Sequence, residues 1–221
     1  MASTEQRVAI VIPARYGSTR LPGKPLADIA GKPMVQHVYE RALQVSNAQV
    51  VVIATDDERV AQAVQAFGGQ SVMTSPDHPS GTDRLAEVMA QVEADIYINV
   101  QGDEPLVRPA DIEALAAGML ADEQVKVGTL CHPIEAHEAG NPNTVKVVLA
   151  NNGNALYFSR SPIPYPRDGE VAHYLKHVGV YGYRRDVLAD YSGLPQPMLE
   201  HAEKLEQLRL MAAGYCIRAY L

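Results

Sequence analysis

Val8-Ala-Ile-Val-Ile-Pro-Ala-Arg-Tyr-Gly-Ser-Thr-Arg-Leu-Pro-Gly-Lys-Pro-Leu26 is the stretch from which the rest of the chain is read. Its first five residues are apolar without interruption. A half-exposed strand alternates apolar and polar residues, so this run predicts a central strand covered on both faces, as in a helix-flanked parallel sheet. Beyond the loop, apolar residues recur at Met34, Val35, Val38, Ala42 and Val45, with Pro33 at the first helical position. That spacing predicts a helix over 34–45, and the order is strand, long loop, helix.

The same unit recurs downstream. Val50 to Ala54 reads as a buried strand and Arg59 to Phe67 as a helix stopped by Gly68 and Gly69. Ser71 to Met73 can form a short strand, followed by a helix over 81–92, the strand Ile96 to Val100 and a helix from Pro109 to Met119. Strands alternating with helices predict an α/β fold: a mostly parallel, Rossmann-like sheet flanked by helices. From Val125 the pattern changes, with strands expected at 127–131, 145–149, 155–158, 177–183 and 215–220, and a turn at Asn151 to Asn154. This half reads as more antiparallel. The alternating prolines of Ser161 to Pro166 exclude helix and central strand, so an extended arm is expected there. Glu200 to Ala213 reads as one amphipathic helix ended by Gly214. With 221 residues we expect a single domain, 1–221, containing an extension or subunit-contact arm at about 140–175.

A net charge of -7 and a pI near 5.5 offer no general attraction to phosphate polymers or anionic membranes. Nucleic acid and membrane are therefore not expected as partners. Cys131 and Cys216 stand outside any metal or redox spacing and are expected to be buried free thiols. No apolar run approaches the roughly 20 residues of a membrane span, and the polar start lacks a signal-peptide core. A cytoplasmic location is expected.

The first loop lies where ligands bind in open α/β sheets, at the carboxyl end of a strand and ahead of a helix. Gly17 and Gly23 allow backbone N–H groups to approach an anion, and Arg15, Arg20 and Lys24 supply positive charge. A triphosphate fits this description, although neither the Walker A nor the GxGxxG spacing is present. The competing reading is a solvated basic loop with turn glycines. In Val100-Gln-Gly-Asp-Glu-Pro105 a buried strand ends at a glycine followed by carboxylates, so Asp103 can hold a metal ion at the sheet edge; a plain turn before Pro105 explains the same residues. Ser80-Gly-Thr82 opens a helix, where it can bond a ligand edge or simply cap.

These strings resemble those of the 3-deoxy-manno-octulosonate (Kdo) cytidylyltransferases. The likeness rests on Ile12 to Leu26, Asp77-His-Pro-Ser-Gly-Thr-Asp-Arg84, Asn99-Val-Gln-Gly-Asp-Glu-Pro105, Asn141-Pro-Asn-Thr-Val-Lys-Val147, Ala155-Leu-Tyr-Phe-Ser-Arg160, His177-Val-Gly-Val-Tyr181 and Leu205-Glu-Gln-Leu-Arg209. Tyr165-Pro-Arg167 is similar to the capsule-associated branch. The resemblance implies a nucleotide-diphospho-sugar transferase type of fold, CTP and Kdo as substrates, CMP-Kdo and pyrophosphate as products, Mg²⁺ as cofactor, and a homodimer using the antiparallel extension. Carried over, Arg15, Lys24 and Asp103 are the catalytic residues, with Asp103 on the metal. Ala14, Arg15, Gly17, Ser18, Lys24, Ser80, Gly81 and Arg84 bind the nucleotide. Gln101, Arg160, His177, Tyr181, Glu206 and Gln207 bind the sugar; by pattern alone Glu206 and Gln207 are surface residues of a helix that buries Leu205 and Leu208. The alternatives are a related acidic sugar, sialate or amino-Kdo, and a non-catalytic module that binds CTP or a sugar nucleotide. The family also carries, after the last strand, a Gly-Val-Asp-Thr-Pro stretch whose Asp completes the metal site. The sequence to Leu221 contains none, which leaves open an unordered tail or a truncated variant with weakened catalysis.

Overall fold

The computed structural model describes residues 6–17, 21–78, 80–169 and 173–221, which pack as two compact units. The first comprises the chain up to Ala121 together with Val180–Ser192. β1 (Val8–Pro13) is its central strand, and Val8 to Ile12 are fully buried, as the unbroken apolar run predicts. Burying each of its Val and Ile side chains contributes about 1.5–3 kcal/mol. A hairpin of β2 (Asp28–Ile29) and β3 (Lys32–Pro33) follows the first loop; its two-residue strands were too short to signal in the sequence.

α1 (Met34–Ala42) is shorter than expected but buries the anticipated Met34, Val35, Val38 and Ala42. β4 (Val50–Thr55) leads to α2 (Glu58–Ala66), capped by the Asp57 carboxylate and closed by the left-handed Gly68, with Gly69 N–H donating to the Val64 carbonyl. That closure is the six-to-one bond of a glycine-stopped helix. β5 (Ser71–Met73), α3 (Gly81–Val88), β6 (Ile96–Asn99) and α4 (Pro109–Ala121) complete the alternation. β1 pairs in parallel with β4 on one side and β6 on the other, and β5 extends the sheet in parallel beyond β4.

The second unit comprises Asp122–Gly179 and Gly193–Leu221. It contains β7 (Val127–Ile134), β8 (Lys146–Leu149), β9 (Ala155–Ser159) and the first half of β10 (Tyr174–Arg184). β8 lies antiparallel to both β9 and β10, as expected. The second half of β10 belongs to the first unit, where Tyr181 to Arg184 pair antiparallel with β6, and it is followed by α5 (Arg185–Tyr191), a helix the sequence reading missed.

One helix expectation is corrected in the second unit. The helix read over 200–213 is α6 (Met198–Glu203) and α7 (Gln207–Ala212), separated at Lys204, which takes a left-handed conformation. The buried Glu200 on α6 grips Arg209 on α7 with two hydrogen bonds, 2.5 and 2.8 Å, so an ion pair and not a continuous backbone ladder joins them. β11 (Ile217–Tyr220) adds to β7 in parallel, in a half that otherwise reads antiparallel. The cysteine expectation is also half corrected: Cys131 is buried in β7, but Cys216 is exposed. Among the described residues no helix is long and apolar enough to cross a membrane.

Candidate functional site

In the first unit the parallel strands β1 and β6 end side by side, and the chain leaving each turns toward the other. Val100 N–H still donates to the Val11 carbonyl, and a Cβ on Gly102 would lie 2.6 Å from the Pro13 carbonyl oxygen. Only a glycine allows that approach. Asp103 follows directly, on a turn in which Glu104 N–H donates to the Gln101 carbonyl.

From the other strand, Ala14 is buried and its N–H donates to the Ala54 carbonyl, so that amide is committed to the sheet. Arg15 and Gly17 are exposed, and a Cβ at Gly17 would meet nothing within 4 Å. Ser18 and Arg20, also expected at the triphosphate, lie outside the described residues. The loop closes where Gly23 N–H donates to the Tyr16 carbonyl at 2.9 Å; Gly23 has φ of 70°, a left-handed conformation that favours glycine. A short 3-10 turn, Lys24–Leu26, follows and aims Lys24 Nζ at Asp103 Oδ2, 2.5 Å away. Two residues 79 positions apart, singled out separately from sequence, thus form one ion pair. Their side chains are 35% and 46% exposed, which leaves both reachable by a ligand.

Among the described residues no three His, Cys, Asp or Glu side chains group as a metal cage. The residues nonetheless fit magnesium, which takes one or two carboxylates and fills its remaining positions with substrate phosphates and water. The half-exposed Asp103 beside a cationic loop is such a donor.

Ser80 is the N-cap of α3: its hydroxyl accepts from Asp83 N–H and donates to the Asp83 carboxylate, so the capping reading is realised. Gly81 rests on the Pro13 ring. Arg84 is buried, its guanidinium donating to Asp56 at 2.8 Å and to the Thr74 hydroxyl. These bonds tie α3 to the residues that follow β4 and β5.

The six residues expected at the sugar fall in both units. Gln101 and Tyr181 belong to the first, with Tyr181 buried and stacked on Tyr183. Arg160, His177, Glu206 and Gln207 belong to the second. Arg160 donates to the carbonyls of Glu203, at 2.7 Å, and Pro142, at 2.9 Å. His177 packs edge-on against Phe158 and meets the Thr129 hydroxyl at 3.1 Å; burial lowers its pKa to about 3, so the ring is neutral and cannot serve as a cation at neutral pH. Glu206 is exposed as its position suggested, but Gln207 opens α7 with its side chain buried, which corrects its surface reading.

Sequence reasoning missed Lys146. Its ammonium is fully buried and donates to the carbonyls of Asn141, Thr144 and Arg160 at 3.1, 2.5 and 2.6 Å, one for each of its three hydrogens. Burial lowers its pKa. A lysine inside an apolar strand, Lys146-Val-Val-Leu149, was the available signal.

A family model described as cytidylyltransferase matches residues 9–217. The chain is 67% identical over 214 residues to the 3-deoxy-manno-octulosonate cytidylyltransferase of Escherichia coli, an alignment covering 97% of this chain and 87% of that protein. It is 52% identical to the protein of the same description from Geobacter metallireducens, covering 96% and 88%. Among solved structures, a CMP:2-keto-3-deoxy-manno-octonic acid synthetase complexed with CTP superposes with a TM-score of 0.95 at 67% identity, covering 97% of this chain and 89% of the other. A cytidylyltransferase from Leptospira borgpetersenii superposes at a TM-score of 0.64 with 15% identity, covering 97% and 76%, a likeness of fold alone.

Proposed function

The chain belongs to the cytidylyltransferase family, and from that premise we propose that it transfers CMP from CTP to Kdo, giving CMP-Kdo and pyrophosphate for lipopolysaccharide or capsule synthesis. The observation that carries the reading is the meeting of Lys24 and Asp103 at the joined ends of β1 and β6. It supplies a cation for a polyphosphate and a carboxylate for its counter-ion at one point. In the reaction an oxygen–phosphorus bond forms between the anomeric hydroxyl of Kdo and the α-phosphorus. The bond to the β-phosphate oxygen breaks, and the hydroxyl proton passes to solvent.

Arg15 and Lys24 neutralise the charge that develops on the transferred and leaving phosphates, and the loop holds them in place before the reaction begins. Asp103 would hold Mg²⁺, which when bound neutralises phosphate oxygens and orients the nucleotide. Ser80 and Gly81 present the start of α3 to the nucleotide. For the sugar, Gln101 and Tyr181 offer hydrogen-bonding groups in the first unit, while Arg160, Glu206 and Gln207 are the candidates in the second. His177 enters as a neutral hydrogen-bonding ring. The extension at about 140–175, on which Tyr165 is 83% exposed, is proposed as the contact between two copies in a homodimer. We place the activity in the cytoplasm, where CTP is supplied.

The test is pyrophosphate release with CTP, Mg²⁺ and Kdo, set beside UTP and beside sialate. Release with Kdo and CTP alone is expected. Equal release with UTP, or none with Kdo, would sink the proposal.

A further inference from the structure

Arg59 lies on the first turn of α2, outside every string that carried the functional reading, yet its guanidinium carbon stands 3.5 Å from the centre of the Tyr16 ring. The Arg59 side chain is 60% exposed, and an exposed arginine ordinarily samples many rotamers. Here Asp57 pins it from beneath: Oδ1 accepts from Nε at 2.8 Å and Oδ2 from Nη2 at 2.6 Å, a two-point fork. The same Asp57 caps α2 by accepting from Arg59 N–H at 2.9 Å. The fork is therefore anchored to the helix start, and this contact holds the Asp57 carboxyl below its ordinary pKa.

On its other side Tyr16 is locked to the far end of the first loop. Its carbonyl accepts from Gly23 N–H, and its ring fills the space a Gly23 side chain would take, 3.1 Å from an ideal Cβ. Gly23 is the residue that starts the turn bearing Lys24. A continuous path thus runs from α2 through Asp57, Arg59 and Tyr16 to Gly23 and Lys24.

We propose that Arg59 is a positioning residue for CTP: stacked on Tyr16 and forked by Asp57, it fixes the closure between Tyr16 and Gly23 that sets where Lys24 and the loop amides meet the triphosphate. This rests on the nucleotide reading of the loop given above. The effect acts through the Tyr16 ring and not through contact of Arg59 with phosphate. An exposed stack of this kind is worth about a 2- to 5-fold change in an equilibrium.

The experiment is a double-mutant cycle, Arg59→Ala, Tyr16→Leu and the pair, with Tyr16→Phe as the variant that keeps the ring. It reads KM for CTP, KM for Kdo, kcat and the exchange protection of the Gly23 amide. Each single variant is expected to raise KM for CTP about 2- to 5-fold, lower kcat as Lys24 is displaced, leave KM for Kdo unchanged, and lower Gly23 protection. Tyr16→Phe should behave as the parent, and the double variant should be no worse than either single one. Additive losses would mean that Arg59 touches phosphate directly and would overturn the proposal. So would an unchanged KM for CTP in Arg59→Ala, or unchanged Gly23 protection. A parent enzyme that releases no pyrophosphate from CTP overturns the function itself, and this inference with it, before any variant is compared.

Discussion

Replacing Lys24 with Met separates what the Lys24–Asp103 pair does for the fold from what it does for the reaction. The pair is close, 2.5 Å, but its side chains are 35% and 46% exposed. At that exposure an ion pair contributes about 0–1 kcal/mol to folding, and in a chain of this size each kcal/mol moves Tm by about 2–4 °C. Lys24→Met should therefore melt within about 4 °C of the parent. Turnover should respond on another scale, because removing one donor aimed at developing charge costs about 10²- to 10³-fold in kcat. In the nucleotide-free protein Lys24 also neutralises the carboxylate expected to hold the metal. Two unit charges about 4 Å apart interact by about 1 kcal/mol in water; Mn²⁺ carries two, so it should bind the nucleotide-free variant about 30-fold more tightly than the parent. Calorimetric melting, pyrophosphate release at saturating substrates and electron paramagnetic resonance of free Mn²⁺ read the three quantities. A turnover within about tenfold of the parent, against the 10²-fold expected, would refute the catalytic role. Unchanged Mn²⁺ affinity would refute the neutralisation.

Gly102→Ala places a methyl group 2.6 Å from the Pro13 carbonyl oxygen; forcing the ends of β1 and β6 apart should cost about 1–3 kcal/mol in a urea titration and lower kcat with it. Glu200→Ala leaves Arg209 buried without its carboxylate, an expected loss of about 3–5 kcal/mol that Glu200→Met with Arg209→Leu should largely restore. His177 has its pKa lowered to about 3 by burial, so the unfolded chain gains that proton near pH 6.5 while the folded chain gains it only near pH 3. The residue costs nothing above pH 6.5 and destabilises increasingly below it, by about 2 kcal/mol at pH 5; urea midpoints of His177→Gln at pH 7 and pH 5 should lose that part of the slope.

The strand–helix alternation of the first unit, β1 and β4 through α4, was legible because its signals are local. Val8 to Ile12 state their own burial, the periodicity of 34–42 states a helix, and Gly68-Gly69 states where α2 ends. Lys24 and Asp103 could be named for the same reason, since each follows a buried strand in a stretch rich in turn residues. What sequence could not show is that they touch, because the contact is made by the pairing of β1 with β6 and not by either segment alone. The break between α6 and α7 was hidden likewise: Lys204 carries no glycine-like signal for a left-handed conformation, and Leu205 and Leu208 continue the apolar spacing across it. Lys146 and Arg59 were passed over because a cation's role depends on its partners. For Lys146 these are three backbone carbonyls, two of them on its own approach to β8. For Arg59 the partner is an aromatic ring more than forty positions earlier.

The unequal fates of the two cysteines make the protein addressable without mutagenesis. Cys131 is 3% exposed and its thiol is pushed up to about 11, so almost none of it is thiolate at neutral pH, and the thiolate is the form that reacts. Cys216 is exposed immediately ahead of β11, the strand that joins β7. A maleimide dye at pH 7 should attach at that one position, giving a single fluorescent reporter at the margin of the second unit's sheet. Its signal would follow the detachment of the last strand, so that the unfolding of the second unit could be watched in the unaltered enzyme.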